Sequence, residues 1–205
     1  MYDILELYAE PYDPKRPVIG MDEKPKPLHG EKRVPIPMKS GSPEKYDYEY
    51  IRNGKANIFV ATEPKAGKRI TKVTNRRTKK DFAKCMKEIV DDEYPDADVI
   101  RVTLDNLNTH FPSSFYETFG KTEAKRILKK LEFHYTPKHA SWLNVAEIEI
   151  GAMDTECTGR RIANKDILAR EVKAWTKRRN KAKKKIDWIF TRQDADKKLG
   201  KHYVT

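Results

Sequence analysis

At 205 residues the chain is long enough for one domain with its own core and too short for two large ones. Hydrophobic residues make up only 38% and charged residues 36%, and 43 Lys and Arg against 31 Asp and Glu leave a formal charge of +12, the electrostatic footprint of a polyanion binder with nucleic acid as leading partner. Two widely spaced cysteines exclude a disulfide framework and a zinc ribbon, and the acidic start MYDILELYAEPYD, with no long apolar run, excludes a signal peptide and a membrane span and points to the cytoplasm.

Ile4, Leu5 and Tyr8 have helical spacing, which predicts a short helix over residues 2–8 in a lead-in of residues 1–16. Residues 18–21 are apolar and followed at once by Asp22, which predicts a buried strand ending in an acid. Pro and Lys dominate residues 24–45 and resist both helix and interior strand, so this stretch is expected to be an extended loop insertion. Residues 46–51 and 56–62 flank Asn53 and Gly54, a hairpin signal, and residues 69–74 add a strand after the turn at Ala66 and Gly67.

Thr78 is placed to cap a helix running to Glu93, with Phe82, Met86, Ile89 and Val90 on one face. A strand over residues 99–104 ends at Asp105. Helical material over 113–130, a strand over 131–135 and a helical region over 142–157 follow. Asn164 caps a helix carrying Ile167, Leu168, Val172 and Trp175, and residues 194–199 form a last helix. An antiparallel meander followed by alternating helices and strands is a mixed α/β order, that of a ribonuclease H-like fold with a five-stranded sheet flanked by helices. Residues 17–160 would form this domain, with 161–205 as a basic helical extension packed on it.

Asp22 and Asp105 each follow an apolar run read as a strand, and strand carboxyl ends are where α/β sheets gather ligands and metals. A third acid is sought in the helix after the last strand, where Glu147 and Glu149 point in different directions; periodicity leaves both open. Three acids without a cysteine cluster suit a hard cation such as magnesium, and two such ions serve in-line phosphoryl transfer.

The segments MDEKPKPL, YDYEYIRNGKANIFVATEPKAGKR, LDNLNTH, EFHYTPKHASWLNVAEIEI and AREVKAWTKRRN resemble, in order, the DDE superfamily endonuclease domain of bacterial insertion-sequence transposases allied to mariner, the IS-six-thirty group. The resemblance implies that Asp22, Asp105 and Glu147 are catalytic and hold two Mg²⁺ ions, with Mn²⁺ as substitute. Leu143 and Asn144 supply the Leu-Asn pair that selects Glu147, leaving Glu149 as the fallback. It further implies strand cleavage at transposon ends followed by strand transfer into target DNA, a homodimer on DNA bridged by the loop insertion, and a bacterial, nucleoid-associated protein. Relatives carry an N-terminal helix-turn-helix that reads the ends; that function is expected from outside this chain, in a separate polypeptide.

Asn106, Asn108 and His110 are candidates to steady the metal site or touch DNA, as are Lys138, His139 and Asn144. His134 is expected to pack on the sheet and Trp142 to lie in the core. Residues 173–185 hold eight basic residues and no acid, namely Lys173, Lys177, Arg178, Arg179, Lys181, Lys183, Lys184 and Lys185, a pattern suited to contacting the phosphate backbone.

Overall fold

Ile19 and Met21 face one packed layer while Gly20 and Asp22, by strand alternation, face another, which makes β1 (Val18–Glu31) the central strand. The structure, a computed structural model, describes residues 1–203. β2 (Tyr50–Glu63) and β3 (Lys68–Thr74) pair antiparallel on one side of β1, and β4 (Ile100–Leu104) and β5 (Leu131–Tyr135) pair parallel on the other, in the order β3-β2-β1-β4-β5. β4 is buried throughout, as a parallel strand covered on both faces must be.

The pairing of β1 with β4 is short, running from Val18↔Arg101 to Gly20↔Thr103. Beyond it one edge of β1 is free, which explains a departure from the expectation for residues 24–45. β1 does not stop at Asp22 but continues through Lys24, Pro25, Lys26 and Pro27 to Glu31, paired with β2. Pro25 and Pro27 share their side of the strand with His29, whose N–H points away from β2 and donates to the Ile162 carbonyl at 2.9 Å. Their missing N–H groups therefore fall on the free edge, where proline removes no ladder bond. The loop is confined to residues 32–49, and Asp22 lies inside a strand.

Asn53 and Gly54 do not turn the chain either. Pairing passes from Pro27↔Lys55 to His29↔Arg52, so the two residues face Leu28 alone in a β-bulge, and Gly54 takes φ +87°. The left-handed conformation that suits glycine in a hairpin turn suits it equally in a bulge.

The helices are α1 (Tyr2–Ala9), α2 (Lys79–Glu88), α3 (Ser113–Phe119), α4 (Lys121–Leu128), α5 (Ala146–Met153), α6 (Lys165–Lys181) and α7 (Arg192–Tyr203). Thr78 and Asp81 form a capping box at the start of α2, satisfying two amides that the helix itself cannot. Phe82, Met86, Ile89 and Val90 then pack on Ile19, Met21, Phe59 and Val102. On the opposite face Ile150 and Met153 of α5 and Leu168, Val172 and Trp175 of α6 cover Leu28, Ile58 and Val60. α1 and Trp188 close the same face near Val18, Leu143 and Val145. Helices thus flank both faces of a mixed five-stranded sheet. No helix among the described residues is long and apolar enough to cross a membrane.

Candidate active site

Three acids reach one edge of the sheet from three elements. Asp22 projects from β1 just past the last residue paired with β4, Asp105 follows the end of β4, and Glu147 stands in the first turn of α5. The approach of α5 to β1 is made possible by Gly20. A Cβ there would meet Val145 Cγ1 at 2.5 Å, the Ala146 nitrogen at 2.8 Å and Asn144 Oδ1 at 2.9 Å. Asn144 fastens the junction: its Nδ2 donates to the Met21 carbonyl at 2.8 Å and to Asp22 Oδ2 at 3.3 Å, while its Oδ1 accepts from the Ala146 amide at 3.1 Å. It is fully buried, so of the roles open to it from the sequence, steadying the site fits and touching DNA does not.

Asp22 accepts from the Glu23 amide at 2.7 Å. Burial pushes its pKa up to about 7; the Glu23 amide opposes this, and the negative charges of Glu147, Asp105 and Glu23 add to it. At Asp105 burial also favours the neutral acid. Hydrogen bonds from His110 and the Leu107 amide, with the His110 and Arg77 charges, outweigh it and hold the carboxyl below its ordinary value. His110 is buried with Nδ1 2.7 Å from Asp105 Oδ1 and Nε2 2.8 Å from Glu23 Oε1. Burial works against its charged form, but the bonds to Asp105 and Glu23 prevail and push its pKa up to about 10. Both ring nitrogens then donate.

Glu23 is the site residue that sequence reasoning missed. The signal was its place directly after Asp22: strand alternation sends it to the opposite face, where a buried carboxylate must find a partner.

Glu149, the fallback acid, is fully buried on the far side of α5. Its Oε2 accepts from Arg69 Nη2 at 2.9 Å, and its Oε1 lies 2.8 Å from Arg69 Nε and 2.6 Å from Arg179 Nε, close enough for ion pairing though off hydrogen-bond geometry. This removes Glu149 from the acid cluster. Arg179, expected from the sequence to contact the DNA backbone, pairs with Glu149 and Glu156. Lys173, Lys177, Arg178, Lys181, Lys183, Lys184 and Lys185 are exposed.

Asn106 donates to the Thr136 carbonyl at 2.5 Å, and Asn108 lies exposed in the turn leading to His110. Lys138 and His139 are exposed in the loop after β5, with His139 at φ +64°. His134 lies in β5, its ring nitrogens bonded to Asp3 and Glu132. Trp142 departs from expectation: it is 41% exposed and stacks on Trp188 instead of entering the core.

The donor chemistry fits a hard cation. Among the described residues no Lys or Arg pairs with Asp22, Asp105 or Glu147, and positive charge placed there would relieve the repulsion felt at Asp22. Among the described residues no three His, Cys, Asp or Glu side chains are drawn together closely enough to enclose an ion by themselves. Magnesium does not require such a cage, because it keeps waters and completes its shell with substrate phosphate.

A mixed five-stranded sheet with carboxylates at the edge where β1 and β4 part defines a ribonuclease H-like nuclease fold. Residues 17–169 match the family model described as DDE superfamily endonuclease, and the chain belongs to that family. Among solved structures it is similar to the Mos1 Strand Transfer Complex, with 12% identity over 85% of this chain and 51% of that one at a TM-score of 0.51. It is also similar to the Mos1 mariner paired end complex with Mn, with 12% identity over 89% and 54% at a TM-score of 0.49. The chain spans about half the length of these solved chains. No curated protein compared with the chain matches it.

Proposed function

We propose that the chain is the catalytic unit of a transposase that cleaves DNA strands at transposon ends and transfers them to target DNA. Asp22, Asp105 and Glu147 would hold two Mg²⁺ ions, with Mn²⁺ able to replace them. The observation that carries this reading is the convergence of these acids from β1, β4 and α5 without a Lys or Arg partner among the described residues. Strand transfer is named for the Mos1 complex of the same fold, and the family membership supports DNA as substrate.

When bound, the ions activate the attacking oxygen and stabilise the leaving oxygen of an in-line displacement at phosphorus. The protein's own groups supply placement. Asn144 holds Asp22 against the start of α5, and His110 with the Leu107 amide fixes Oδ1 of Asp105. The exposed residues Lys173, Lys177, Arg178, Lys181, Lys183, Lys184 and Lys185 would draw the phosphate backbone to the protein.

A nicking assay on end-containing DNA, with Mg²⁺ or Mn²⁺, tests the reading. The parent chain nicks and Asp105→Asn does not, while Ca²⁺ supports binding without cleavage. Equal activity in the two proteins would sink the three-acid site, and no activity in either would favour an inactive DNA-binding remnant. DNA affinity should fall steeply with salt, and replacing Lys177, Lys181 and Lys184 together by Gln should flatten that slope by about one for each phosphate no longer neutralised.

A further inference from the structure

We propose that Glu23 is a positioning residue of the acid cluster, holding Asp105 in place through His110. This rests on the reading of Asp105 as a metal ligand. The parallel ladder between β1 and β4 ends at Gly20↔Thr103, so the chain leaving β4 at Asp105 is no longer tied to β1 by paired backbone. The Glu23 side chain makes the connection. From β1 its Oε1 meets His110 Nε2 at 2.8 Å, and His110 Nδ1 meets Asp105 Oδ1 at 2.7 Å.

His110 itself cannot swing. Its ring is fully buried 4.7 Å from the Phe82 ring, and its carbonyl accepts from the Tyr135 hydroxyl at 3.1 Å. The consequence falls on the Asp105 carboxylate. Oδ1 lies 2.7 Å from His110 Nδ1, within ion-pairing distance, and accepts from the Leu107 amide at 3.1 Å; Nδ1 also reaches the Asp105 carbonyl at 3.3 Å, and among the described residues no hydrogen bond reaches Oδ2. One oxygen is anchored and the other is presented.

A plain core staple would not be built this way. Glu23 is buried with Oε2 lacking any partner among the described residues. Burying a half-satisfied carboxylate is costly, and apolar side chains would pin a loop to a strand without that cost. The arrangement makes sense where the orientation of Asp105 matters more than stability, because groups that orient a metal ligand are what give a site its affinity.

The test is Mn²⁺ binding to the whole chain by calorimetry, with melting temperatures recorded and the ring ¹⁵N shifts of His110 followed by NMR. The parent chain binds Mn²⁺ saturably and Asp105→Asn loses it. Glu23→Ala, folded, binds about 10- to 100-fold more weakly and shows shifted His110 ring nitrogens. Glu23→Gln, which keeps an acceptor for Nε2 without the charge, falls between the two. A folded Glu23→Ala with parental Mn²⁺ affinity overturns the proposal. Should that variant not fold, Glu23→Gln decides, and parental affinity there overturns it equally. A parent chain without saturable Mn²⁺ binding, or an Asp105→Asn variant that binds as the parent does, removes the metal-site reading and this proposal together.

Discussion

Glu147 and Glu149 stand two residues apart on α5 and meet opposite surroundings. Glu149 is sealed between Arg69 of β3 and Arg179 of α6, and Arg69 also donates to the Gly67 carbonyl at 2.7 Å. Glu147 is exposed beside Asp22 and Asp105, with no basic partner among the described residues. One region is a charge-balanced knot that joins three elements. In the other, Glu147 adds to the negative charge around Asp22, and of the three acids only Asp105 has a cationic partner among the described residues, His110. A carboxylate enclosed by arginines is architecture; one left exposed without them is available for chemistry.

The sharpest way to break this comparison is to neutralise each glutamate in turn. Glu147→Gln should cut nicking by about 10³-fold or more, the scale on which loss of a catalytic group acts, with an unchanged urea midpoint. Glu149→Gln leaves two guanidinium groups facing a neutral side chain in the interior and should cost about 3–5 kcal/mol of unfolding free energy, measured in urea. If the two variants exchanged phenotypes, the division of labour would be wrong. A smaller effect is expected at Gly20, where the added methyl of Gly20→Ala must push α5 away from β1. Strain of about 1–3 kcal/mol should accompany a loss of nicking larger than the loss of stability explains.

The smallest effect concerns a surface network. Asp91 and Glu123 both bond Arg126 and Lys87, and these contacts hold each carboxyl down at about 2. Because the folded values lie below the ordinary 3.8 and 4.5, the contribution is complete above those values and is lost as pH falls through about 2. The network is largely in water, so the change in melting temperature between pH 4.5 and 2 should be slight, and Arg126→Gln should reduce it.

Much of the fold was legible because its signals are local. The cap at Thr78, the cap at Asn164 and the apolar strand at residues 131–135 all appear where the sequence puts them. The departures arose where a local signal admits two uses. Asn53-Gly54 supplies a left-handed residue, and only the partner strand decides between a turn and a bulge. Pro25 and Pro27 disfavour a strand only where their N–H positions face a neighbour, and the free edge of β1 cannot be read from composition. At the site, Asp22 and Asp105 stood out by following apolar runs. Periodicity left Glu147 and Glu149 open and only the Leu-Asn pair favoured Glu147; the pairing of Glu149 with Arg69 and Arg179, distant in sequence, could not be read from it. Trp142 lay outside the core because Trp188, in the C-terminal segment, offers its ring a stacking partner at the surface.

The outer halves of β1 and β2 form a two-stranded arm, and the segment before α6 is laced across it. His29 donates its amide to the Ile162 carbonyl at 2.9 Å, Asn53 donates to the Ala163 carbonyl at 2.8 Å, and Arg161 grips Glu31 at 2.8 Å. Residues 161–163 thus tie the outer end of the arm, where the 32–49 loop begins, to the segment that opens α6, so the loop and the basic helix share one anchor.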